Sequence, residues 1–264
     1  MPIFRIKYYL IARNMKKIIL SIMMAFLVVE ASAQKTYALI TGVSNYEGTA
    51  NDLQQSSKDA KNIAAIYKSK GATVFTLTSS YATKEKIIET IKKIASVAKP
   101  SDHIVFTYSG HGSPNMICTY TTGNQQMMSY SDLFDELRKC NAKDITCFID
   151  ACFSGSASMA AKNNDVCGKN YLKSLVKADN RLVLLLSSRD DEYSMENPAV
   201  GAGFFTRAFL KGIRGKSDAN GDKKITVLEL FKYMYKDVKL HSNGRQHPQL
   251  VAAVSQHNNI LMTW

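Results

Sequence analysis

The feature that most constrains the fold is the alternation of short apolar segments with stretches of helical spacing. The predicted strands are Tyr37–Val43, Thr73–Leu77, His103–Tyr108, Ile145–Ile149 and Leu182–Leu186, with Ile260–Trp264 as a last edge strand. The central segments are apolar at nearly every position, so both of their faces are expected to be buried. Such strands are typical of a parallel sheet covered by helices on both sides.

The segments between these strands show apolar residues at helical spacing. The predicted helices are Ser56–Lys70, Thr83–Ala98, Tyr130–Arg138, Phe204–Ile213 and Val227–Val238. Residues 154–180 are instead polar and rich in Ser, Lys and Asn, which predicts a long mobile loop. The chain of 264 residues is 45% hydrophobic, enough for a buried core. The prediction is a single α/β domain with a mostly parallel central sheet of about six strands and helices on both faces.

The N-terminus has the three parts of a secretory signal. Met15-Lys16-Lys17 is positively charged, Ile18–Val29 is apolar, and Ala31-Ser32-Ala33 supplies the small residues of a cleavage site. The apolar run is shorter than the roughly 20 residues that span a bilayer. We expect a signal peptide over residues 1–33, with Met15 as an alternative start, and a mature domain over 34–264. The protein would be secreted or periplasmic, and a membrane anchor or a buried N-terminal helix is the alternative.

The charge balance bears on the partners of the mature chain. Of the formal net charge of +12, residues 1–33 contribute +4, so the remainder carries +8. The lysines are scattered and form no run among aromatic residues, which favours a solvated basic surface over a nucleic-acid site. We expect a peptide or protein substrate, no nucleic acid, no stable membrane insertion after signal cleavage, and a monomer.

Two of the predicted strands end in residues that can carry chemistry. One is followed by Ser109-Gly110-His111-Gly112 and the other by Asp150-Ala151-Cys152-Phe153-Ser154-Gly155. In open parallel sheets the site lies beyond the carboxyl ends of the strands, where these side chains could meet. A nearby imidazole can take the proton of a thiol nucleophile and return it to a leaving amine. The spacing predicts Cys152 as nucleophile, His111 as acid–base partner, and the N–H groups of Gly112 and Cys152 as an oxyanion hole.

Other chemistries fit the sequence less well. There is no G-x-S-x-G segment, which disfavours a serine hydrolase of the α/β type. The five cysteines fit no zinc spacing, and their odd number leaves at least one thiol free even in an exported protein. Cys147 lies in a strongly apolar strand and is predicted to be a core residue.

Both motifs resemble those of the caspase-like cysteine peptidases, and the bacterial metacaspase-like branch most. Asp150, two residues before Cys152, matches the metacaspase pattern, since caspases proper have Gln there. The resemblance covers most of the mature chain. Further matching segments are Ala38–Tyr46, Leu53 with Asp59-Ala60, Leu186–Asp190 and Gly203–Thr206.

The resemblance implies cleavage after Arg or Lys, with Asp150 and Asp59 binding the basic side chain in the S1 pocket. A carboxylate can pair with a guanidinium in a bidentate way. The alternatives are a turn residue at a strand end for Asp150 and a solvated helix residue for Asp59. Many relatives cleave themselves in a loop, and Lys162, Lys169, Lys173 and Lys177 are candidate sites within 154–180.

Residues 218–229 resemble a calcium-binding EF-hand loop. The acceptor side chains are Asp218, Asn220, Asp222, Thr226 and Glu229, but Lys223 stands where such loops have Gly. The alternative is a polar turn followed by a helix whose capping box is Thr226 with Glu229. No cofactor is expected to be required, and calcium remains an open alternative.

Three functions are therefore compared. The leading one is a secreted cysteine endopeptidase with a Cys–His dyad that cleaves after Arg or Lys. The second is a catalytically silent caspase-like interaction module, and the third is a calcium-binding structural domain. The presence of both catalytic residue types favours the first.

Overall fold

A computed structural model describes residues 15, 34–46, 51–113, 115–121, 126–152, 169–189, 192, 194–197 and 202–264. Lys35–Trp264 forms one compact unit. The predicted signal peptide lies outside the described residues, apart from Met15. Within the described part of the chain, no helix combines the length and the apolar character needed to cross a membrane.

The secondary structure follows the predicted order closely. The strands are β1 (Thr36–Gly42), β2 (Thr73–Thr78), β3 (His103–Ser109), β4 (Gly112–Ser113), β5 (Met116–Thr119), β6 (Gln126–Ser129), β7 (Asp144–Asp150), β8 (Leu182–Leu186), β9 (Glu196–Asn197), β10 (Ala202–Gly203), β11 (Lys224–Thr226), β12 (Gln249–Ala252) and β13 (Ile260–Thr263). The helices are α1 (Ser56–Ser69), α2 (Lys84–Ala95), α3 (Tyr130–Leu137), α4 (Lys169–Ala178), α5 (Phe204–Lys211) and α6 (Val227–His241).

The main sheet has six strands in the order β12-β8-β7-β3-β1-β2. All neighbours are parallel except β12, which runs antiparallel to β8. The predicted α/β class with a mostly parallel sheet of about six strands is confirmed. The predicted edge strand at Ile260–Trp264 belongs elsewhere, because Ile260–Thr263 pairs with β11 in a separate two-stranded sheet. The sixth strand is β12, a four-residue segment too short to show a period.

Each face of the main sheet carries its own hydrophobic core. On one face the side chains of β1, β3, β7 and β8 pack against α2, α3 and α4. On the other face, the alternate residues of the same strands pack against α1, α5 and α6. Cys147 is fully buried in the first core, as predicted. Burial of both faces explains why the central strands are apolar at nearly every position.

The predicted mobile loop over 154–180 is wrong for its second half. Residues 169–178 form α4, which buries Leu172, Leu175 and Val176 against the sheet. These three positions have the i, i+3, i+4 spacing of a helix face. The polar composition of the surrounding residues hides that short signal. Lys162 lies outside the described residues.

Candidate active site

The two strands that precede His111 and Cys152 end side by side. β3 and β7 are neighbours in the sheet, with Ser109 opposite Asp150 in the register. Gly110 N donates a hydrogen bond of 3.1 Å to Asp150 O just beyond the paired residues. His111 and Cys152 follow at the same edge, and both line one cleft. The other residues lining it are Leu53, Ser56, Ser109, Gly110, Asp150 and Ser194.

His111 is held by contacts with Tyr46 and Asn51. Its backbone N–H donates to Tyr46 Oη at 2.6 Å, and its ring centroid lies 4.6 Å from that of Tyr46. His111 Nε2 lies 2.7 Å from Asn51 O. Since a carbonyl oxygen can only accept, Nε2 carries the proton in this arrangement. Nδ1 is then the nitrogen available to accept a proton from a nucleophile.

Cys152 differs in burial from the other described cysteines. Its side chain is half-buried in the cleft, and the thiol lies 3.8 Å from Ser194 O. Burial raises the pKa of both Cys118 and Cys140 to about 11, and burial also raises the pKa of Cys147. A thiolate is the reactive form of cysteine, so these three buried thiols are poor nucleophiles. Of the described cysteines, Cys152 is the one placed for chemistry.

The backbone of Gly112 passes close to the turn that carries Cys152. The hydrogen bond of 3.0 Å from Cys118 N to His111 O makes Gly112 and Ile117 a non-hydrogen-bonded pair of the β4–β5 ladder. The Gly112 N–H is therefore not used in pairing with Ile117. A Cβ at Gly112 would lie 2.6 Å from Cys152 O and 2.9 Å from the Ala151 methyl group. Glycine is required here because the backbone passes directly against the Cys152 turn.

Asp150 lines the cleft, but its carboxylate already has protein partners. Oδ1 accepts a hydrogen bond from Ser194 Oγ, while Oδ2 accepts from Thr206 N at 3.2 Å and from Thr206 Oγ1 at 2.7 Å. Burial raises the pKa of Asp150, and these hydrogen bonds oppose the rise. A basic ligand that reached this carboxylate would have to share it with Ser194.

Asp59 lies in α1, on the face of the main sheet that is covered by α1, α5 and α6. It is 1% exposed in the first turns of α1, so the alternative of a solvated helix residue is wrong. Its Oδ2 accepts a hydrogen bond of 3.3 Å from Gly203 N. A Cβ at Gly203 would lie 3.1 Å from Asp150 Oδ2. The two acids thus converge on Gly203 at the start of α5, but only Asp150 is among the residues lining the cleft.

A model of the caspase domain family matches residues 35–258, which span the main sheet and both strand ends. The chain belongs to the caspase domain family. This family implies cysteine peptidase activity in general. The crystal structure of a protein from Geobacter sulfurreducens resembles this caspase domain with a TM-score of 0.60 and 18% sequence identity. The match covers 87% of this chain and 98% of that one, and at such an identity it shows the fold alone. No match was found among curated proteins.

Several polar residues that line this caspase domain's cleft or hold its lining residues were missed from the sequence. Tyr46 and Thr206 lay in segments that resemble the family, but nothing marked their side chains as partners of His111 and Asp150. Ser194 and Gln246 lie in segments without strand or helix periodicity, so no local pattern indicated a role. Both contact the cleft only through the tertiary fold.

The 218–229 segment of the caspase domain forms hydrogen-bonded turns and a capped helix. Asp218 accepts from Gly221 N, Lys223 N and Trp264 Nε1, and Lys223 has a φ of 62°. Asn220 and Asp222 each accept from the backbone N–H two residues on. Glu229 forms the predicted capping box with Thr226 at the start of α6. Among the described residues, no group of three or more His, Cys, Asp or Glu is arranged to hold a metal ion.

Proposed function

We propose that this caspase domain is a secreted cysteine endopeptidase of the metacaspase-like type, which cleaves after Arg or Lys. The observation that carries the proposal is that Cys152, His111 and Asp150 line the same cleft at the adjoining ends of β3 and β7. The signal pattern over residues 1–33 supports export. The scattered basic surface supports a protein substrate over nucleic acid, and a monomer is expected.

The proposed chemistry uses Cys152 and His111 of the cleft together with two backbone N–H groups. His111 Nδ1 accepts the thiol proton as Cys152 Sγ forms a bond to the substrate carbonyl carbon. The resulting oxyanion is stabilised by the Gly112 N–H, with the Cys152 N–H as the expected second donor. His111 then donates the proton to the leaving amine, and the C–N bond breaks to give a thioester. A water that loses its proton to His111 hydrolyses the thioester, which returns the thiol and releases the acid product.

Hydrolysis of fluorogenic peptides tests this function directly. The chain from Gln34 is assayed on peptides with Arg, Lys or Asp before the scissile bond, with added calcium or with a chelator. We expect turnover of the Arg and Lys peptides and none of the Asp peptide. Cys152→Ala should be inactive, whereas Cys140→Ala, a buried thiol outside the cleft, should keep its activity. Hydrolysis of the Asp peptide alone would contradict the proposed specificity, and no hydrolysis at all would favour the silent interaction module.

Gly112→Ala should impair catalysis strongly, although it adds only one methyl group. The added methyl group must displace the Cys152 carbonyl or Ala151, and a displacement near 1 Å can cost roughly 100-fold in rate. We expect kcat to fall by about 10- to 100-fold, with a loss of about 1–3 kcal/mol in the free energy of unfolding. Steady-state kinetics and chemical denaturation measure the two effects. Ser113→Ala is the control, and a Gly112→Ala protein with normal kcat would refute the close backbone approach.

Self-cleavage is the remaining part of the proposal. Lys169, Lys173 and Lys177 lie in α4, so cleavage there would require that helix to open first. Lys162, the fourth candidate, lies outside the described residues. N-terminal sequencing of the wild-type protein and of Cys152→Ala would reveal self-cleavage. Identical processing in both proteins would exclude it.

A further inference from the structure

Gln246 is a buried polar residue that does not line the cleft but donates a hydrogen bond to Ser194, which does. It is fully buried in the turn between α6 and β12. Its Nε2 donates to Ser187 O at 2.9 Å and to Ser194 Oγ at 3.3 Å, and its Oε1 accepts from Met195 N at 3.1 Å. The Gln246 backbone N–H is itself anchored by Ser242 Oγ at 3.0 Å.

The hydrogen-bond partners of Gln246 lie in two segments, one at Ser187 and one at Ser194 and Met195, and each segment contacts Cys152 or the residue before it. Ser187 Oγ donates to Ala151 O at 3.0 Å and accepts from Ala151 N at 3.2 Å, so it fixes the turn before the nucleophile. Ser194 donates to Asp150 through its hydroxyl and lies 3.8 Å from the Cys152 thiol through its carbonyl oxygen. One carboxamide therefore links the segment of Ser187, which holds Ala151, to the segment of Ser194, which lines the cleft.

The direction of the hydrogen bonds matters as much as their number. The Gln246 amide donates to Ser194 Oγ, which leaves the Ser194 hydroxyl proton directed at Asp150. Replacing the carboxamide with an apolar group would leave the buried Ser187 O and the partly buried Met195 N without this partner, which is unfavourable. The segment carrying Ser194 would then have to move to find other partners.

We propose that Gln246 is a positioning residue for substrate selectivity: it holds Ser194 against Asp150, so that a basic side chain meets a fixed carboxylate. The selectivity part of this proposal rests on the proposed peptidase function. Gln246 touches neither Cys152 nor His111 through any of the hydrogen bonds above. It should therefore affect substrate binding more than the reactivity of the thiol.

Gln246→Met, which keeps the length of the side chain, tests this proposal. We expect kcat/KM for Arg and Lys peptides to fall by about 10- to 100-fold, mainly through KM, because substrate binding is lost before chemistry begins. Alkylation of Cys152 by iodoacetamide, corrected with Cys152→Ala, should stay within about threefold of wild type. The matched control is Gln249→Met, three residues away, where a partly buried glutamine donates to Ser188 O at 3.3 Å.

Two further measurements separate positioning from general stability. In a double-mutant cycle, Ser194→Ala and Gln246→Met should be non-additive for the Arg peptide, because they act through one hydrogen-bond chain. Hydrogen exchange over residues 194–197 should accelerate in Gln246→Met but not in Gln249→Met. Exchange does not depend on turnover, so it still decides the positioning role if the wild-type protein hydrolyses no peptide and the proposed function fails. Unchanged exchange, or unchanged selectivity in an active enzyme, would overturn the proposal.

Discussion

Replacing His111 with alanine is expected to lower kcat for Arg peptides by roughly 10⁴-fold, while the protein stays folded. The imidazole has two tasks: Nδ1 takes the thiol proton, and the same proton later reaches the leaving amine. His111 lies at the cleft surface and not in a core, so its removal should cost little stability. Tyr46 binds its backbone N–H and Asn51 O contacts its Nε2, so neither hydrogen bond uses the Nδ1 of the proposed proton transfer.

Thiol alkylation distinguishes the two tasks of His111. If the imidazole activates Cys152, the rate of alkylation near neutral pH should fall in His111→Ala, whereas the buried thiols stay unreactive in both proteins. His257→Ala, a histidine outside the cleft, serves as the control and should behave like wild type. Peptide turnover that survives in His111→Ala would contradict the assignment of the acid–base partner.

The second large effect is expected from Asp150→Asn. An uncharged amide cannot pair with a guanidinium or ammonium group, and loss of one partner of a buried charge pair costs on the order of 10²- to 10³-fold in binding. We expect that loss in kcat/KM for Arg and Lys peptides, with a much smaller change for a peptide with a neutral residue at the same position. The matched control is Asp144→Asn, because Asp144 begins the same strand at the end away from the cleft. Equal losses for basic and neutral peptides would refute the role of Asp150 in selectivity.

The raised pKa of Asp150 adds a pH dependence with a defined sign. Burial is the main cause of the rise, and hydrogen bonds from Ser194 and Thr206 oppose it. Basic substrates need the ionised carboxylate, so kcat/KM for them should fall as the pH drops through a value above the usual aspartate range. For stability the sign is reversed: the contribution of Asp150 is fully present below its unfolded pKa and is lost as the pH rises through the folded pKa. Asp150→Asn should therefore be no less stable than wild type at pH 8, as measured by thermal unfolding.

The two acids predicted for the S1 pocket differ in whether they line the cleft. Asp150 was predicted from its place before Cys152, and the structure places it in the cleft. Asp59 was predicted from the same resemblance, and its carboxylate accepts from Gly203 N without lining that cleft. Spacing along one strand end determines which way a nearby side chain points. The reach of a helix residue depends instead on how α1 packs against α5, which no local pattern specifies.

The sequence by itself determined that His111 and Cys152 each follow a buried strand of a parallel sheet. Continuous apolar runs require burial on both faces, and parallel strands bring their carboxyl ends to one edge, so His111 and Cys152 had to be neighbours once β3 and β7 paired. Tertiary structure alone decided what surrounds them. Ser194 and Gln246 lie 42 and 94 positions beyond Cys152 in the printed sequence. Ser194 contacts Cys152 through a hydrogen bond, and Gln246 donates to Ser194. Hydrogen bonding between distant segments leaves no period in a sequence, because its geometry exists only after the hydrophobic faces have packed.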